Sequence, residues 1–291
     1  MKQGYYHLLA IAVVVVWGLT YISTKVLIQH GLHPHEIFFY RFLVAYAGIW
    51  LIAPRRLLAN SWKEEGLLAL AGFFGGSLYF YTENTALGMT QASNVAFLLC
   101  TAPLLTAFLS AACYKEVRLG VHLLVGSLLA LCGVGLIVFG GKEGLKVSPW
   151  GDLLTLSAAF SWACYSLVIR RLSHYPVSFI TRKVFFYGLV TILPLFAIFP
   201  FRGNVGILSQ PAVWMNLLFL ALVASLVCFV AWNVALKKIG VMHTSNYIYL
   251  SPLVTLGASM LILGEGLTFT SAVGAACILC GVYWAEKKSG T

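Results

Sequence analysis

Apolar blocks of about twenty residues recur along the whole chain and constrain its fold more than any other feature. This is the length of chain that crosses a lipid bilayer as an α-helix. The strands of a membrane barrel alternate apolar and polar residues, and these blocks do not. A content of 60% hydrophobic and 10% charged residues, with a mean hydropathy of +0.89, also excludes an ordinary soluble domain. The sequence therefore predicts an all-α polytopic membrane protein.

Short segments with turn and charge signals, such as HGLHPHE and CYKEVRLG, separate the apolar blocks. The first block runs past Trp17 and Lys25 without a small-residue cleavage site, so we expect a true span and not a signal peptide. We predict ten transmembrane helices. Their expected bounds are 8–28, 37–53, 66–87, 94–112, 120–139, 151–169, 184–200, 213–235, 244–263 and 269–285.

Lysine and arginine residues are distributed unequally between the two sets of loops. With the N-terminus inside, 12 of them lie in inside segments and 3 in outside segments. Because cytoplasmic loops are enriched in positive residues, we expect both termini of this multi-pass chain in the cytoplasm. The same rule accounts for the net charge of +10 without a nucleic-acid partner. The inside set is Lys2, Arg55, Arg56, Lys63, Lys115, Arg118, Arg170, Arg171, Lys237, Lys238, Lys287 and Lys288, and the outside set is Lys142, Lys146 and Arg202.

The second half of the chain repeats the first. At a constant offset of 149 positions, Asn84 matches Asn233 and Pro103 matches Pro252. Further matches lie on both sides of these pairs, which makes a chance coincidence of apolar sequences a poor explanation. They are Ala86 with Ala235, Leu87 with Leu236, Leu104 with Leu253, Thr106 with Thr255, Ser110 with Ser259, and Glu116 with Glu265.

Each half holds five predicted helices, and because this number is odd the second copy must enter the membrane with the opposite orientation. An inverted repeat is the architecture of many secondary transporters, in which the substrate binds near the midplane between the halves. Two similar halves open to either side at similar free energy, which is what alternating access requires. We predict two inverted five-helix repeats at 1–139 and 151–291, joined by a linker at 140–150.

Several motifs occur in order along the two halves. They are WGLTYISTK (17–25), the pair Arg41–Phe42, ENTAL (83–87), TAPLLTA (101–107) followed by Glu116, GDLLTLSAAFSWACYS (151–166) and LSPLVTLGASMLILGE (250–265). This ordered set resembles the EamA-type ten-helix members of the drug/metabolite transporter superfamily, over nearly the whole chain. The resemblance implies an exporter or exchanger of small metabolites in the plasma membrane, with a central cavity between the halves. It does not specify a substrate.

Glu83 is an acid near the outer end of the third predicted helix, in the stretch YFYTENTALGMT. Lys25 and Arg41 are expected at a similar depth. An ionised group inside a span costs about 2.5–3.5 kcal/mol on insertion scales, so it usually pairs or faces water. One interpretation is an ion cluster that locks three helices, and the other is a site that binds a zwitterion or exchanges a proton. Trp232 occupies the matching position of the second half, and an acid present in only one half favours function.

Pro103 and Pro252 are matched prolines in the middle of the fourth and ninth predicted helices. Each leaves the carbonyl four residues earlier, that of Leu99 or Ile248, without its helical partner. Broken spans at corresponding positions indicate a transporter site. With the polar and aromatic residues expected inside spans, the predicted substrate-binding set is Trp17, Tyr21, Lys25, Arg41, Tyr79, Glu83, Asn84, Asn94, Thr101, Trp162, Tyr165, Trp232, Asn233, Asn246 and Tyr247.

The sequence argues against an intramembrane enzyme, which needs a nucleophile with a base, or a metal-binding set. His122 is the histidine that lies well inside a predicted span, and it has no acidic partner nearby in the sequence. The seven cysteines lie almost wholly in apolar blocks without metal-ligand spacing, and His30, His33 and His35 occupy a predicted loop. We therefore predict no catalytic residues, no metal and no cofactor.

Transport is the favoured function, since a receptor or assembly protein would need a soluble domain or long loops, and the loops here are short. The chain has no Walker-type glycine loop, so a gradient or facilitated flow is expected. Charges of both signs near the cavity favour amino acids or related zwitterions, exported or exchanged by alternating access. An exporter of lipophilic cations or drugs, served by the aromatic residues and one acid, is the alternative. The expected partners are a small-molecule substrate and the lipid bilayer, with proton coupling through Glu83 as a hypothesis, in a monomer or homodimer.

Overall fold

The computed structural model describes residues 2–52, 57–114, 120–139, 148–201, 205–254, 257 and 269–286. Within these ranges every regular element is helical and no strand occurs. Most of the predicted linker at 140–150, and the ninth predicted span after residue 254 except for residue 257, lie outside the described residues. The same is true of many loop cations used to predict the orientation, namely Arg55, Arg56, Lys115, Arg118, Lys142, Lys146, Arg202, Lys287 and Lys288.

The helices follow the apolar blocks closely. In the first half they are α1 (Lys2–Gln29), α2 (Pro34–Ile52), α3 (Trp62–Gly72), α4 (Tyr79–Met89), α5 (Ala92–Leu99), α6 (Ala102–Cys113) and α7 (Val121–Phe139). In the second half they are α8 (Pro149–Arg171), α9 (Val177–Ile198), α10 (Val205–Leu208), α11 (Pro211–Leu218), α12 (Cys228–Ile239), α13 (Val241–Asn246) and α14 (Phe269–Glu286).

Five helical segments of the described chain are long and apolar enough to cross a membrane. They are Gly4–Gln29, Asn94–Cys113, Pro149–Arg171, Val177–Ile198 and Pro211–Ile239, and two shorter apolar helices are Val121–Ile137 and Ala272–Ala285. The chain is thus consistent with a polytopic membrane protein. The full set of ten spans and the inverted arrangement remain predictions.

Two wide π-helical turns interrupt the longest helices. The first wide turn, Phe73–Leu78, joins α3 to α4, and the second, Phe219–Val227, joins α11 to α12. Residues 73–78 shifted by the repeat offset of 149 become 222–227, which lie inside the second wide turn. The two halves therefore carry the same local distortion at matching places, and such turns occur frequently at functional sites.

Glycines in and beside the first wide turn let the second half approach closely. A Cβ atom on Gly75 would overlap the ring of Tyr165 from α8, and one on Gly72 would lie 2.5 Å from the Cβ of Tyr187 in α9. The backbone of the first wide turn thus packs directly against α8 and α9. Any side chain larger than hydrogen at these two positions would push the halves apart.

Both predicted proline helices are interrupted just before the proline. Helix α5 ends at Leu99 and α6 begins at Ala102, next to Pro103, while the 3₁₀ turn Tyr247–Leu250 precedes Pro252. The Cys100 thiol at the first interruption donates to the carbonyl of Ile248 at the second, with an S–O distance of 3.8 Å. The two broken helices therefore face each other across the two halves.

The halves pack on each other in a reciprocal way. Helix α2 of the first half packs against α9 and the second wide turn, and α9 of the second half packs against α3 and the first wide turn. A hydroxyl group reinforces each of these two contacts. The Ser77 and Thr191 oxygens lie 2.7 Å apart between the first wide turn and α9, and Arg41 of α2 donates to Ser225 in the second wide turn. Helices α7 and α14 form a separate pair, in which Gly126 lies against the backbone of Gly281.

Helix α9 begins at Val177, about two turns before the predicted start of the span at 184–200. Arg182 and Lys183 immediately precede the predicted span. In the structure both belong to α9, and their side chains are buried. Lys183 is paired with Glu65 of α3. The sequence placed both cations at the edge of the span, and no local pattern shows that a carboxylate of another helix neutralises Lys183.

Candidate functional site

A cavity of about 50 Å³ lies between the two halves, where the broken helices and the long helices meet. We name it the central cavity. Its residues come from α1, α2, α4, α5, α6, α8, α12 and the segment at the second helix interruption, so both halves contribute. They are Val14, Trp17, Thr20, Tyr21, Arg41, Tyr79, Phe80, Glu83, Leu99, Ala102, Trp162, Phe229, Ile248 and Ser251.

Arg41 carries the positive charge of the central cavity and is only 2% exposed. Its Nε donates to the Ser225 hydroxyl at 2.9 Å, and its guanidinium carbon lies 4.2 Å from the centre of the Phe80 ring. Among the described residues, its two terminal nitrogens have no hydrogen-bond or ion-pair partner. A guanidinium has five N–H donors in a planar fork, so most of this fork remains able to hold an anionic group.

Glu83 carries the negative charge of the cavity and is 6% exposed. Its Oε1 accepts a hydrogen bond of 3.0 Å from the hydroxyl of Tyr79, one turn earlier in α4. Within the described chain, no direct ion pair joins Glu83 to Arg41, although both line the same cavity. Two opposite charges are therefore held apart in a buried space, each short of partners.

Aromatic rings form one side of the cavity. Trp17 makes an edge contact with Trp162 at 5.2 Å between ring centres and lies 4.9 Å from Trp232. The Trp17 indole donates to the Ala224 carbonyl at 3.0 Å, so α1 is tied to the second wide turn. Phe229 contacts Trp17 and Trp162 at 6.1 and 5.9 Å. We name Trp17, Phe80, Trp162 and Phe229 the aromatic wall.

The structure brings six of the predicted substrate-binding residues to the central cavity. They are Trp17, Tyr21, Arg41, Tyr79, Glu83 and Trp162. Sequence reasoning missed eight lining residues, namely Val14, Thr20, Phe80, Leu99, Ala102, Phe229, Ile248 and Ser251. A signal existed for two of them, because Leu99 and Ile248 are the residues whose carbonyls the matched prolines set free.

Lys25 does not join Glu83 and Arg41, so the predicted cluster of three charges does not form. It lines a separate surface pocket with the end of α4 and Ser148. The reason is helical geometry. Trp17 and Tyr21 are four residues apart and share a face of α1, while Lys25 comes where the helix leaves the central cavity for its outer end.

Several other predicted polar residues bond to the protein itself. Asn84 donates to the carbonyl of Pro34 at 3.2 Å, which links α4 to the start of α2. Asn94 and Thr101 make local bonds within their own segment, to the Thr90 hydroxyl at 3.2 Å and the Leu98 carbonyl at 2.6 Å. These side chains support the helices around the cavity and do not line it.

The remaining predicted residues do not line the central cavity. The Tyr165 hydroxyl donates to Asn233 Oδ1 at 2.8 Å, and Asn233 Nδ2 donates to the Thr181 hydroxyl at 3.1 Å. Tyr247 is hydrogen-bonded to His7 Nδ1 at 2.7 Å. Trp232 and Asn246, both 1% exposed or less, are buried next to these groups without lining the cavity.

In the described part of the chain, no group of three or more His, Cys, Asp or Glu side chains lies close enough together to hold a metal ion. His33 and His35 stack on each other at 5.7 Å, and His35 packs against Phe196. The lining of the central cavity presents one cationic side chain, one acidic side chain and aromatic surface.

Proteins with similar sequences are named as transporters. The chain is 29% identical over 290 residues to a "Probable amino-acid metabolite efflux pump" of Salmonella typhimurium, covering 97% of this chain and 94% of that protein. It is 30% identical over 284 residues to a protein of the same name in Escherichia coli K12, covering 94% and 92%. An "Uncharacterized transporter" of Archaeoglobus fulgidus is 28% identical, covering 97% of both chains.

The fold also has a solved relative. A protein crystal structure superposes with a TM-score of 0.77 over 98% of this chain and 96% of the other, at 18% identity, which is a likeness of fold alone. The EamA-like transporter family matches the chain twice, over residues 4–139 and 149–285. These matches indicate a multi-pass membrane transporter and not an enzyme. The chain belongs to the EamA-like transporter family.

Proposed function

We propose that this protein exports or exchanges amino acids or related zwitterions across the plasma membrane by alternating access. The observation that carries the proposal is the pair Arg41 and Glu83, which line one buried cavity with opposite charges and no direct ion pair in the described chain. Isolated buried charges are unfavourable and usually mark a substrate path. Two relatives named as amino-acid metabolite efflux pumps support the same substrate class.

A zwitterion supplies the partner that each charge lacks. The terminal nitrogens of Arg41 donate to its carboxylate in the forked geometry that guanidinium and carboxylate share. Glu83 accepts from its ammonium group, and the rings of Tyr79 and Trp17 stabilise the same cation through their π faces. The apolar part of the substrate then lies against the aromatic wall.

Alternating access accounts for the small volume of the central cavity. Sites for small molecules enclose about 300–1,000 Å³, and this cavity holds about 50 Å³, so substrate entry requires the halves to separate. The two wide turns and the two proline interruptions are matched weak points, one of each in either half. We place the moving parts there because a few element-terminal residues absorb most of a hinge motion.

Proton coupling through Glu83 is the second part of the proposal. A carboxylate that is buried, partly unpaired and within a substrate cavity binds either a proton or the substrate ammonium. Because Glu83 binds a proton or the substrate but not both at once, export of the substrate would be coupled to inward flow of protons. In Glu83→Gln, the remaining transport should no longer depend on a proton gradient. If it depends on the gradient as in the wild type, Glu83 does not couple transport to protons.

Export of lipophilic cations is the second candidate function, favoured by the aromatic wall together with a single acid. The two candidates differ in their use of Arg41. A cation carrier gains nothing from a buried guanidinium in its site and should transport better without it. A zwitterion carrier loses its carboxylate partner when Arg41 is replaced.

The test is counterflow of radiolabelled L-phenylalanine in proteoliposomes, a probe with both charges and an aromatic side chain. We expect Arg41→Gln and Glu83→Gln each to reduce the initial rate about tenfold or more, as for the loss of a hydrogen bond to a charged group. Lys25→Gln is the matched control, since Lys25 lies outside the cavity. Counterflow that survives both cavity replacements would overturn the proposed site, and a faster rate of a lipophilic cation in Arg41→Gln would favour the alternative.

A further inference from the structure

A second and larger cavity, of about 200 Å³, lies at the end of the molecule that the charge distribution predicts to be cytoplasmic. We name it the inner pocket. It is enclosed by the end of α8, the start of α9, the end of α12 and the start of α13. Its lining residues are Ile169, Arg170, Ser173, Val177, Ile180, Asn233, Leu236, Lys237, Gly240 and Val241.

One layer of side chains separates the inner pocket from the central cavity. Asn233 belongs to the inner pocket, and its amide accepts from the Tyr165 hydroxyl. The ring of Tyr165 lies 5.1 Å from that of Trp162, which lines the central cavity. The two spaces are therefore neighbours along one path, with the Tyr165–Asn233 hydrogen bond between them.

The chemistry of the inner pocket suits a molecule with a carboxylate and an apolar part. Ile169 and Ile180 are 4% and 1% exposed and form an apolar base. Lys237 is exposed at the entrance, where its Nζ donates to the carbonyl of Tyr175 at 3.0 Å. An ammonium group has three donors, so two remain for a ligand, and Arg170 adds a second positive charge at the same entrance.

We infer that the inner pocket is a loading site, where a substrate carboxylate binds Lys237 on the cytoplasmic side before the substrate enters the central cavity. This inference rests on the proposed function. It gives Asn233 and Tyr165 a role distinct from direct contact in the central cavity: their hydrogen bond, which joins α8 to α12, closes the passage between the two spaces.

Lys237 also connects the inner pocket to the contact between the halves. Its partner Tyr175 donates a hydroxyl hydrogen bond to Glu64 Oε2 at 2.8 Å and accepts one from the backbone of Asn60 at 2.7 Å. Glu64 and Asn60 belong to the first half, while Tyr175 and Lys237 belong to the second. A carboxylate that draws Lys237 away from the Tyr175 carbonyl therefore weakens an attachment of Tyr175 on the cytoplasmic side.

The experiment compares Lys237→Gln with Lys238→Gln, a neighbouring lysine in the last turn of α12 that does not line the inner pocket. Transport of radiolabelled L-phenylalanine is measured in membrane vesicles of each uniform orientation. We expect Lys237→Gln to raise the half-saturating concentration at the cytoplasmic face about two- to fivefold, the upper part of the range for an exposed charge pair, with the value at the opposite face and the maximal rate unchanged. Lys238→Gln should leave all three values unchanged.

The outcomes separate the two proposals. If Lys237→Gln and Lys238→Gln both transport normally and have the same half-saturating concentration at the cytoplasmic face, the loading site is overturned and the central site is left intact. An equal rise at both faces in Lys237→Gln would also overturn it, because that result indicates a general effect on folding or on the central site. Absence of L-phenylalanine transport by the wild-type protein would overturn the proposed function and the loading site together.

Discussion

Two buried carboxylates, Glu65 and Glu83, lie in the same long helical segment and are each 6% exposed, yet their surroundings differ greatly. Glu65 accepts hydrogen bonds from Lys183, from the Tyr187 hydroxyl and from the backbone of Ala59. Glu83 accepts one, from Tyr79. Equal burial with unequal pairing distinguishes the carboxylate that joins the two halves from the carboxylate that lines the central cavity.

The position of each carboxylate agrees with this division. Glu65 faces Lys183 of α9, so its ion pair crosses between the halves at the end predicted to be cytoplasmic. Glu83 faces a cavity, and the nearest positive charge lining it is engaged with Ser225. A fully satisfied buried pair contributes little net stability but is expensive to break. A buried charge with few partners costs free energy in the folded state.

The largest expected effect is the loss of stability when the Glu65 pair is broken. Lys183→Met leaves Glu65 buried without its cation, which costs about 3–5 kcal/mol in systems of this kind. Thermal unfolding of the detergent-solubilised protein, followed by circular dichroism, measures it. The double replacement of Lys183→Met with Glu65→Leu should recover most of the loss, since an apolar pair of similar volume replaces a buried ion pair at little cost. If Lys183→Met unfolds at the same temperature as the wild type, Glu65 does not depend on its ion pair, and the contrast between Glu65 and Glu83 is wrong.

The second prediction concerns Glu83→Gln. It should reduce L-phenylalanine counterflow about tenfold or more, the effect of removing a hydrogen bond to a charged group, while the unfolding temperature stays close to that of the wild type. Glu65→Gln should behave in the opposite way and lower the unfolding temperature. If Glu83→Gln proved the less stable of the two, Glu83 would be a structural residue.

A smaller effect is expected from Ser225→Ala, which removes the hydroxyl that accepts from Arg41 Nε. The guanidinium keeps its charge but loses its fixed orientation, so we expect a loss of only part of the roughly 1.5–3 kcal/mol that a hydrogen bond to a charged group contributes. We expect weaker substrate binding with a nearly unchanged maximal rate. Ser225→Thr keeps the hydroxyl and serves as the control, so a loss of equal size in both variants would point to packing of the second wide turn instead.

The smallest effect is expected at Lys25, which the sequence grouped with Glu83 and Arg41 but the structure places in a separate pocket. Lys25→Gln should change the free energy of unfolding by no more than about 0.5 kcal/mol, as surface replacements usually do. Counterflow should be unchanged. A large loss of transport in this variant would mean that Lys25 enters the central cavity in another conformation.

Apolar block length was sufficient to predict the helices, because the bilayer imposes that length on any spanning segment. The start of α9 escaped prediction since Lys183 is neutralised by Glu65, a partner more than a hundred residues away that no local pattern reveals. At the cavity, the matched prolines gave a signal for Leu99 and Ile248, although neither belonged to the predicted substrate-binding set. Phe80 and Phe229 could not be assigned to the cavity from the sequence, because a phenylalanine ring can face lipid, the protein core or a substrate.

The central claim is that one buried site holds the two charges of a zwitterion on Arg41 and Glu83. Inhibition of wild-type L-phenylalanine counterflow by its single-charge analogues, phenethylamine and 3-phenylpropionate, tests this claim most directly. Unlabelled L-phenylalanine should inhibit strongly, and each analogue at the same concentration should inhibit about tenfold more weakly, since each leaves one buried charge without a partner. Inhibition by phenethylamine as strong as that by L-phenylalanine would contradict the claim and identify a carrier of lipophilic cations.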